Sequence, residues 1–320
     1  MIRVYRTGCL ACDPVLTDLA DWTLPDDAIW IDLVDPSLEE DKAIEAALSL
    51  SIPTRAEMAE LEASSRLYRE NGATYVTADI IHNGDDDMPS ADPVTFVLTH
   101  GPLVTIRYFD PKPFAILADR IERDPELCGS GADMFLHLME AIIDRASDIL
   151  SINAERVEGI SNHVFAEGKT VGFHRLIGKL GRAHIVNTRI EQSLAGLARV
   201  FAYVSLDERI EHVLDARDHL RSLSGDAASL LQHNQSVAAG INFQLSAALG
   251  LINIDQSSIV KVFSVATTCL MPPTLIGAIY GMNFDHMPEL RWIDGYPLAI
   301  LAMVISGIAP LLWFRRKGWL

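Results

Sequence analysis

Two stretches near the carboxyl end carry no charge for nineteen residues each: Val262–Tyr280 (VFSVATTCLMPPTLIGAIY) and Tyr296–Phe314 (YPLAILAMVISGIAPLLWF). At roughly 1.5 Å rise per residue, nineteen residues of helix reach about 28 Å, close to the ~30 Å hydrocarbon core of a bilayer. Their length and flanks point to two membrane spans joined by a short loop rather than to buried helices of a soluble protein. Trp292, Tyr296, Trp313 and Trp319 stand where interfacial aromatics gather.

Basic residues set the orientation. Lys261 precedes the first span and Arg315, Arg316 and Lys317 follow the second, while the loop at 281–295 holds only Arg291. Both termini are therefore expected in the cytoplasm, with a basic ring of Lys261, Arg315, Arg316 and Lys317 on that side and a basic tail at 315–320. In a bacterium the membrane is the inner one. The whole chain has 43 acidic and 26 basic side chains and a net charge of −17. Residues 259–320 hold five basic and three acidic residues, so the first 258 carry −19. Such a body does not coat nucleic acid by neutralising phosphates, but it attracts cations. Met1 to Leu10 has no apolar core with a small-residue cleavage site, so no secretory signal is expected. The four cysteines are too scattered for a disulfide framework, and a reduced cytosol leaves Cys9, Cys12 and Cys128 without need of partners.

Pro272 and Pro273 lie inside the first span, where they remove backbone donors and leave upstream carbonyls unpaired. Lipid cannot satisfy those carbonyls, so this helix should face a wet or protein-lined space. Ser257, Ser264, Thr267, Met271 and Thr274 follow one another at intervals of seven, three, four and three, a single helical stripe. The stripe points to a pore lining, with hydrogen bonding between packed helices as the alternative.

Immediately after this span come Tyr280-Gly281-Met282-Asn283-Phe284, then Met287-Pro288-Glu289-Leu290 in the loop. A Gly-Met-Asn tripeptide closing the first of two carboxyl-terminal spans, with that loop and a basic tail behind it, resembles the CorA family of divalent-cation transporters. The resemblance is dense from about Asn253 to Leu320 and thins to architecture alone before residue 130. It implies a homopentamer in the lipid bilayer, with five copies of the first span around a pore and five of the second outside them. Gly281, Met282 and Asn283 would form the selectivity filter. Five neutral amides suit hydrated Mg²⁺, which gives up its water reluctantly and is held too tightly by a carboxylate ring to be released. Thr274 and Met271 would line the pore below the mouth, with Thr267, Ser264, Phe263, Val260 and Ser257 nearer the cytoplasm. Phe263 and the other apolar members would gate by excluding water. Asp285 and Glu289 in the outer loop would recruit cations, or stand as ordinary solvated charges.

The overall class expected is an α+β membrane protein with an amino-terminal cytoplasmic α/β domain at 1–125. Ile2 to Arg6, Ala28 to Val34, Arg66 to Ile81 and Val94 to Phe109 are rich in β-formers. Asp35-Pro36-Ser37 followed by Glu40 marks a helix start with a capping box, and Pro113 opens a helix to Arg123. A helical hairpin occupies 126–206, from Ala132 to about Phe165 and Phe173 to about Ser205, joined near Gly168. A long stalk helix at 207–261 runs into the spans at 262–280 and 296–314, with a weak spot at Ser224-Gly225; together the long helices would form a funnel stalk. In the family, intracellular Mg²⁺ binds acids between neighbouring cytoplasmic domains and holds the pentamer closed. Asp215, Asp218 and Asp226 on the long helix are the candidates here, with no residue-by-residue match to the family's sensing acids.

Other signals point away from enzymes. Gly168-Lys169-Thr170 lacks the first glycine of a nucleotide loop, which would fall on His163, so no ATP site is expected. Asp85, Asp86 and Asp87 lack the glycine and final glutamate of a calcium loop. Cys9-x-x-Cys12 has no second pair for a zinc site. No organic cofactor is called for. The reading is a passive channel for Mg²⁺, with Co²⁺ and Ni²⁺ also admitted. A zinc transporter of the same superfamily and a non-conducting membrane-anchored metal sensor are the alternatives; Met287-Pro288-Glu289-Leu290 favours magnesium.

Overall fold

The computed structural model describes residues 1–6, 13–14, 23–60, 62–84, 88–124, 129–165, 173–211, 215–283 and 287–319. Cys9, Cys12, the aspartates at 85–87, Cys128, Gly168-Lys169-Thr170, Phe284 and Asp285 lie outside them. The chain divides into two units, one of Met1–Ala166 with His174–Leu245 and one containing Ser246–Leu320.

The elements of the first unit begin with β1 (Ile2–Arg6), β2 (Asp13–Pro14), β3 (Ala28–Val34), α1 (Leu38–Leu48), α2 (Arg55–Met58) and α3 (Ala63–Arg66). Strands β4 (Leu67–Glu70), β5 (Ala73–His82), β6 (Ser90–Leu98) and β7 (Leu103–Arg107) follow, then helices α4 (Lys112–Arg123), α5 (Gly131–Phe165), α6 (Phe173–Val204) and α7 (Glu208–Glu211). The strands form one mixed sheet in the order β2-β1-β3-β7-β6-β5-β4. Among the described residues, only β3 and β7 run parallel.

Two expected β stretches each prove to be two strands. Arg66 to Ile81 folds back at Asn71 and Gly72, whose φ values of 49° and 75° are those of a tight hairpin turn. Val94 to Phe109 turns between Leu98 and Leu103. The helix start at Ser37 is as expected: the Ser37 hydroxyl accepts from the Glu40 amide at 3.3 Å, and Glu40 accepts from the Ser37 amide at 2.8 Å. Burial works to raise the Glu40 carboxyl, but bonds from the amino-terminal ammonium and Ser37 outweigh it and hold it below the ordinary range.

Both sheet faces are covered, and alternate residues feed two cores. Trp30, Val76, Phe96 and Leu103 pack with Phe114, Phe135, Leu197 and Phe201 from the helices on one face. Ile31, Tyr75, Val97 and Val104 pack with Ile44 and Met58 on the other. Across the parallel pair, Arg107 donates to both oxygens of Asp32 at 3.0 and 2.9 Å, with both side chains fully buried. Thr105 also donates to Asp32, at 2.8 Å, and receives the Trp30 indole N–H at 2.9 Å. Burial acts to lower the Arg107 pKa, and the Asp32 charge reverses this and raises it.

Helix α8 (Ala216–Tyr280) has 65 residues, the first thirty in this unit. It starts nine residues later than the sequence suggests, because Asp215 takes a left-handed conformation (φ 61°) and separates it from α7. Asp215 is therefore not on the long helix but caps it from outside, its carbonyl accepting from the His219 amide at 2.9 Å. The expected weak spot at Ser224-Gly225 is continuous helix. Three buried amides tie the helices together: Asn153 donates to the Ala183 carbonyl, Asn234 to Asn187 and Gln244 to Val157, at 3.0–3.2 Å.

The second unit holds the rest of α8, a 3₁₀ turn (Pro288–Arg291) and α9 (Gly295–Arg316). Both helices are long and apolar enough to cross a bilayer, and only 6% of the most apolar window of each is buried within the chain.

Removing the anion beneath Arg107 should be costly. Asp32→Ala leaves the buried Arg107 guanidinium with only the exposed Asp110 carboxylate and the Phe109 carbonyl as partners, and should destabilise the protein by about 3 kcal/mol in denaturant unfolding of the detergent-solubilised chain, whereas the apolar pair Asp32→Leu/Arg107→Met should recover much of the loss. Equal stability of Asp32→Ala and the natural chain would mean the pair is not what holds β3 to β7.

Candidate functional site

The Gly-Met-Asn tripeptide caps α8. The Gly281 amide donates to the Gly277 carbonyl at 3.0 Å and the Met282 amide to Ile279 at 3.2 Å, so the helix tightens as it ends. A Cβ on Gly281 would stand 3.1 Å from the Gly277 carbonyl oxygen, closer than side chains normally approach, which accounts for glycine here. Asn283 follows the last turn and is exposed, as are Gly281 and Met282. In the loop, Pro288, Glu289 and Leu290 lie in the 3₁₀ turn behind Met287. Gly295 then allows the chain to re-enter helix: a Cβ there would sit 2.5 Å from the Glu289 carbonyl oxygen. Ile293, at the loop tip, is fully exposed.

Ahead of the tripeptide, α8 has two unlike sides. Val265, Cys269, Pro272 and Ile276 are the less exposed positions, spaced by four, three and four. They face α9, whose own inner stripe is Ala299, Met303, Ser306, Gly307, Pro310 and Phe314. A Cβ on Gly307 would stand 3.3 Å from both the Cys269 carbonyl oxygen and the Pro273 ring. Cys269 is one of the two residues, with Thr268, whose carbonyls lose their donors to the proline pair. The small residue on α9 thus lets a neighbouring backbone cover one of them, where the sequence required a protein-lined or wet surface.

At 100° per residue, the stripe of Ser257, Val260, Phe263, Ser264, Thr267, Met271 and Thr274 lies roughly 150° round the helix from the α9-facing stripe. All seven are exposed; Phe263 is 70% and Met271 62% accessible. The hydroxyls do not reach a second helix. Thr267 donates to the Phe263 carbonyl at 2.9 Å, and Thr274 to Leu270 and Met271 at 2.9 and 2.8 Å, which leaves their oxygens free to accept.

The basic residues sit at the opposite end of both membrane-length segments. Lys261 is exposed on α8, and Arg315 and Arg316 form the last turn of α9 rather than a separate tail. Lys317 lies over the Trp313 ring at 4.5 Å. Gly318, at φ 71°, closes the helix: its amide donates to Arg315 and that of Trp319 to Phe314, while the Phe314 and Trp319 rings stack at 5.3 Å.

The three acidic candidates are not gathered at one point. Asp218 is exposed and pairs loosely with Arg221 at 3.5 Å. Asp226 is near enough to Asp144 to act on it: burial first, then the Glu140, Asp148 and Asp226 carboxylates against an opposing Arg120, raise the Asp144 pKa above its ordinary range. Asp215 lines a cleft of about 140 Å³ with Asp133, His137 and His219. Nothing in the sequence points to that cleft, because its histidines are 82 positions apart and neither belongs to a ligand motif.

Comparison with known proteins agrees with the geometry. Residues 25–316 match the family described as CorA-like Mg²⁺ transporter protein. The chain is 32% identical over 295 residues to the magnesium transport protein CorA of Pectobacterium atrosepticum, covering 92% of each. It is 31% identical over 296 residues to that of Salmonella typhimurium, again covering 92% of each. Its fold superposes on the complete CorA magnesium transporter of Methanocaldococcus jannaschii with a TM-score of 0.81 at 19% identity, covering 100% of this chain and 99% of the other. With most of its length matching the family's model and more than 30% identity to these transport proteins over nine tenths of each chain, the chain belongs to the CorA-like Mg²⁺ transporter family.

Proposed function

We propose that this chain is a passive channel for hydrated Mg²⁺ in a bacterial inner membrane, assembled as a homopentamer with both termini in the cytoplasm, and admitting Co²⁺ and Ni²⁺ as well. The observation that carries the reading is the uncharged, exposed stripe of α8 on the side turned from α9, leading to Asn283 at the helix end. A neutral stripe on a single chain is an unusual lipid-facing surface for Ser and Thr, and five copies turned toward a common axis would give a polar conduit. Asn283 is the filter: its amide oxygens accept hydrogen bonds from the ion's water without stripping it. Gly281 keeps the mouth tight and Met282 braces it. The threonine and serine oxygens accept from water along the path, while Phe263, Met271 and Val260 provide apolar constrictions that dewet when closed.

The driving force is the membrane potential. At about 2.3 kcal/mol per charge per 100 mV, a dication gains about 4.6 kcal/mol, which makes uptake possible without ATP. Glu289, and Asp285 beside it in sequence, concentrate cations outside; Lys261 and the Arg315-Arg316-Lys317 group mark the cytoplasmic end. Regulation resides in the acidic body. Burial first, and then the neighbouring carboxylates, raise the Asp144 pKa; the crowding supports a surface that a bound Mg²⁺ would relieve, with Asp226, Asp218 and Asp215 as the acids on or beside the helix that continues into the membrane. Falling internal Mg²⁺ then restores repulsion and opens the pore.

Two measurements test this. Asn283→Ala should abolish Mg²⁺ uptake into proteoliposomes while native mass spectrometry still finds a pentamer; uptake at the natural rate would remove Asn283 from the filter. Raising Mg²⁺ on the cytoplasmic face should lower the flux, and a flux indifferent to it would end the feedback proposal.

A further inference from the structure

The cleft at the head of α8 holds donors that magnesium does not prefer. His137 and Glu140 stand one turn apart on α5, and His219 lies in the first turn of α8. The Glu140 carboxylate is between the two rings: its Oε2 is 3.2 Å from His137 Nδ1 and 3.9 Å from His219 Nε2. The rings face each other at 5.5 Å between centroids, inclined by 66°. Asp133, one turn before His137, and Asp215, one turn before His219, line the same cleft, walled by Leu136 and Ala216. Asp133 spends one oxygen on the Ser130 hydroxyl at 2.9 Å. The two imidazoles and Glu140 are between a quarter and two fifths exposed, so an ion can reach them.

We propose that His137, Glu140 and His219 form a binding site for a late first-row divalent cation, Co²⁺, Ni²⁺ or Zn²⁺, separate from the Mg²⁺ path, with Asp215 or water completing the coordination. Imidazole nitrogen favours these ions, whereas Mg²⁺ takes oxygen ligands and keeps its water. Ligand atoms around a tetrahedral ion at 2.0–2.1 Å stand roughly 3.3 Å apart. The Glu140–His137 separation meets that spacing, and the Glu140–His219 separation exceeds it by about 0.6 Å. Among the described residues no three such side chains are already drawn to bonding distance of one point. Binding therefore has to draw His219, and with it the first turn of α8, toward α5. The site would respond to ions that the acid surface of the body does not distinguish, and it stands or falls independently of the channel reading.

The test titrates Co²⁺ into the full-length protein in detergent, in buffer with excess Mg²⁺, following the visible absorption of low-symmetry Co²⁺ and the stoichiometry by calorimetry. About one Co²⁺ per chain should bind. His137→Gln and His219→Gln, each read separately on protein whose circular dichroism and oligomeric mass are unchanged, should weaken it about tenfold or more. Glu140→Gln should weaken it while leaving both rings in place. His233→Gln, on an exposed part of α8, and Asn283→Ala should leave it as it was. Binding that survives both histidine variants, that is seen only when Mg²⁺ is left out of the buffer, or that disappears with Asn283→Ala overturns the proposal.

Discussion

A proline pair in the middle of a membrane-length helix leaves two carbonyls without donors, and everything near the membrane end of this chain is arranged around that deficit. Hydrocarbon offers no hydrogen bond, and an orphaned carbonyl there costs several kcal/mol. Gly307 brings the backbone of α9 against the Cys269 carbonyl and the Pro273 ring, so one deficit is turned toward protein. That contact fixes which side of α8 belongs to α9. The other side, with Ser257, Ser264, Thr267 and Thr274, is then committed to water or to further copies of the chain. A glycine on the second helix thus determines which face of the first is left for the proposed ion path.

Charge is distributed to the same end. The chain keeps its acids in the body and in the loop between α8 and α9, and keeps them out of the two membrane-length stretches altogether. On the proposed reading, a dication passing such a path would meet dipoles rather than countercharges, which would let it leave as readily as it enters. The body is built to tolerate its own charge: where an ion pair is buried, as at Asp32 and Arg107 or at Arg66 and Asp79, it is bidentate or further hydrogen-bonded. Glu140, Asp144, Asp148 and Asp226 are left near one another on the helical side.

Much of this was legible in the sequence because the signals are local. The span lengths, the capping box at Ser37, strands β1 and β3, and both long helices of the hairpin rest on patterns a few residues wide. The hairpin at Asn71-Gly72 was also written locally, in the residue pair that favours positive φ, yet a long β-rich run concealed it. What stayed hidden depends on pairing across the fold. Asp215 reads as one more helical residue until its left-handed φ shows that α8 begins after it. Gly307 reads as a small residue in an apolar run until the Cys269 carbonyl is found beside it. His137 and His219 become neighbours only because α5 and the start of α8 pack on the same side of the sheet. Spacing along a chain reports one helix face at a time, and it cannot report which two faces meet.

The central claim is that electrical potential alone moves a hydrated dication past uncharged groups. Pure protein in liposomes, with a dye inside and a potassium gradient setting the potential, measures it directly. The account predicts Mg²⁺ entry that grows as the interior is made more negative, with no nucleotide present and with Zn²⁺ a poor competitor. Entry that ignores the potential, or liposomes that admit Zn²⁺ and exclude Mg²⁺, would contradict it.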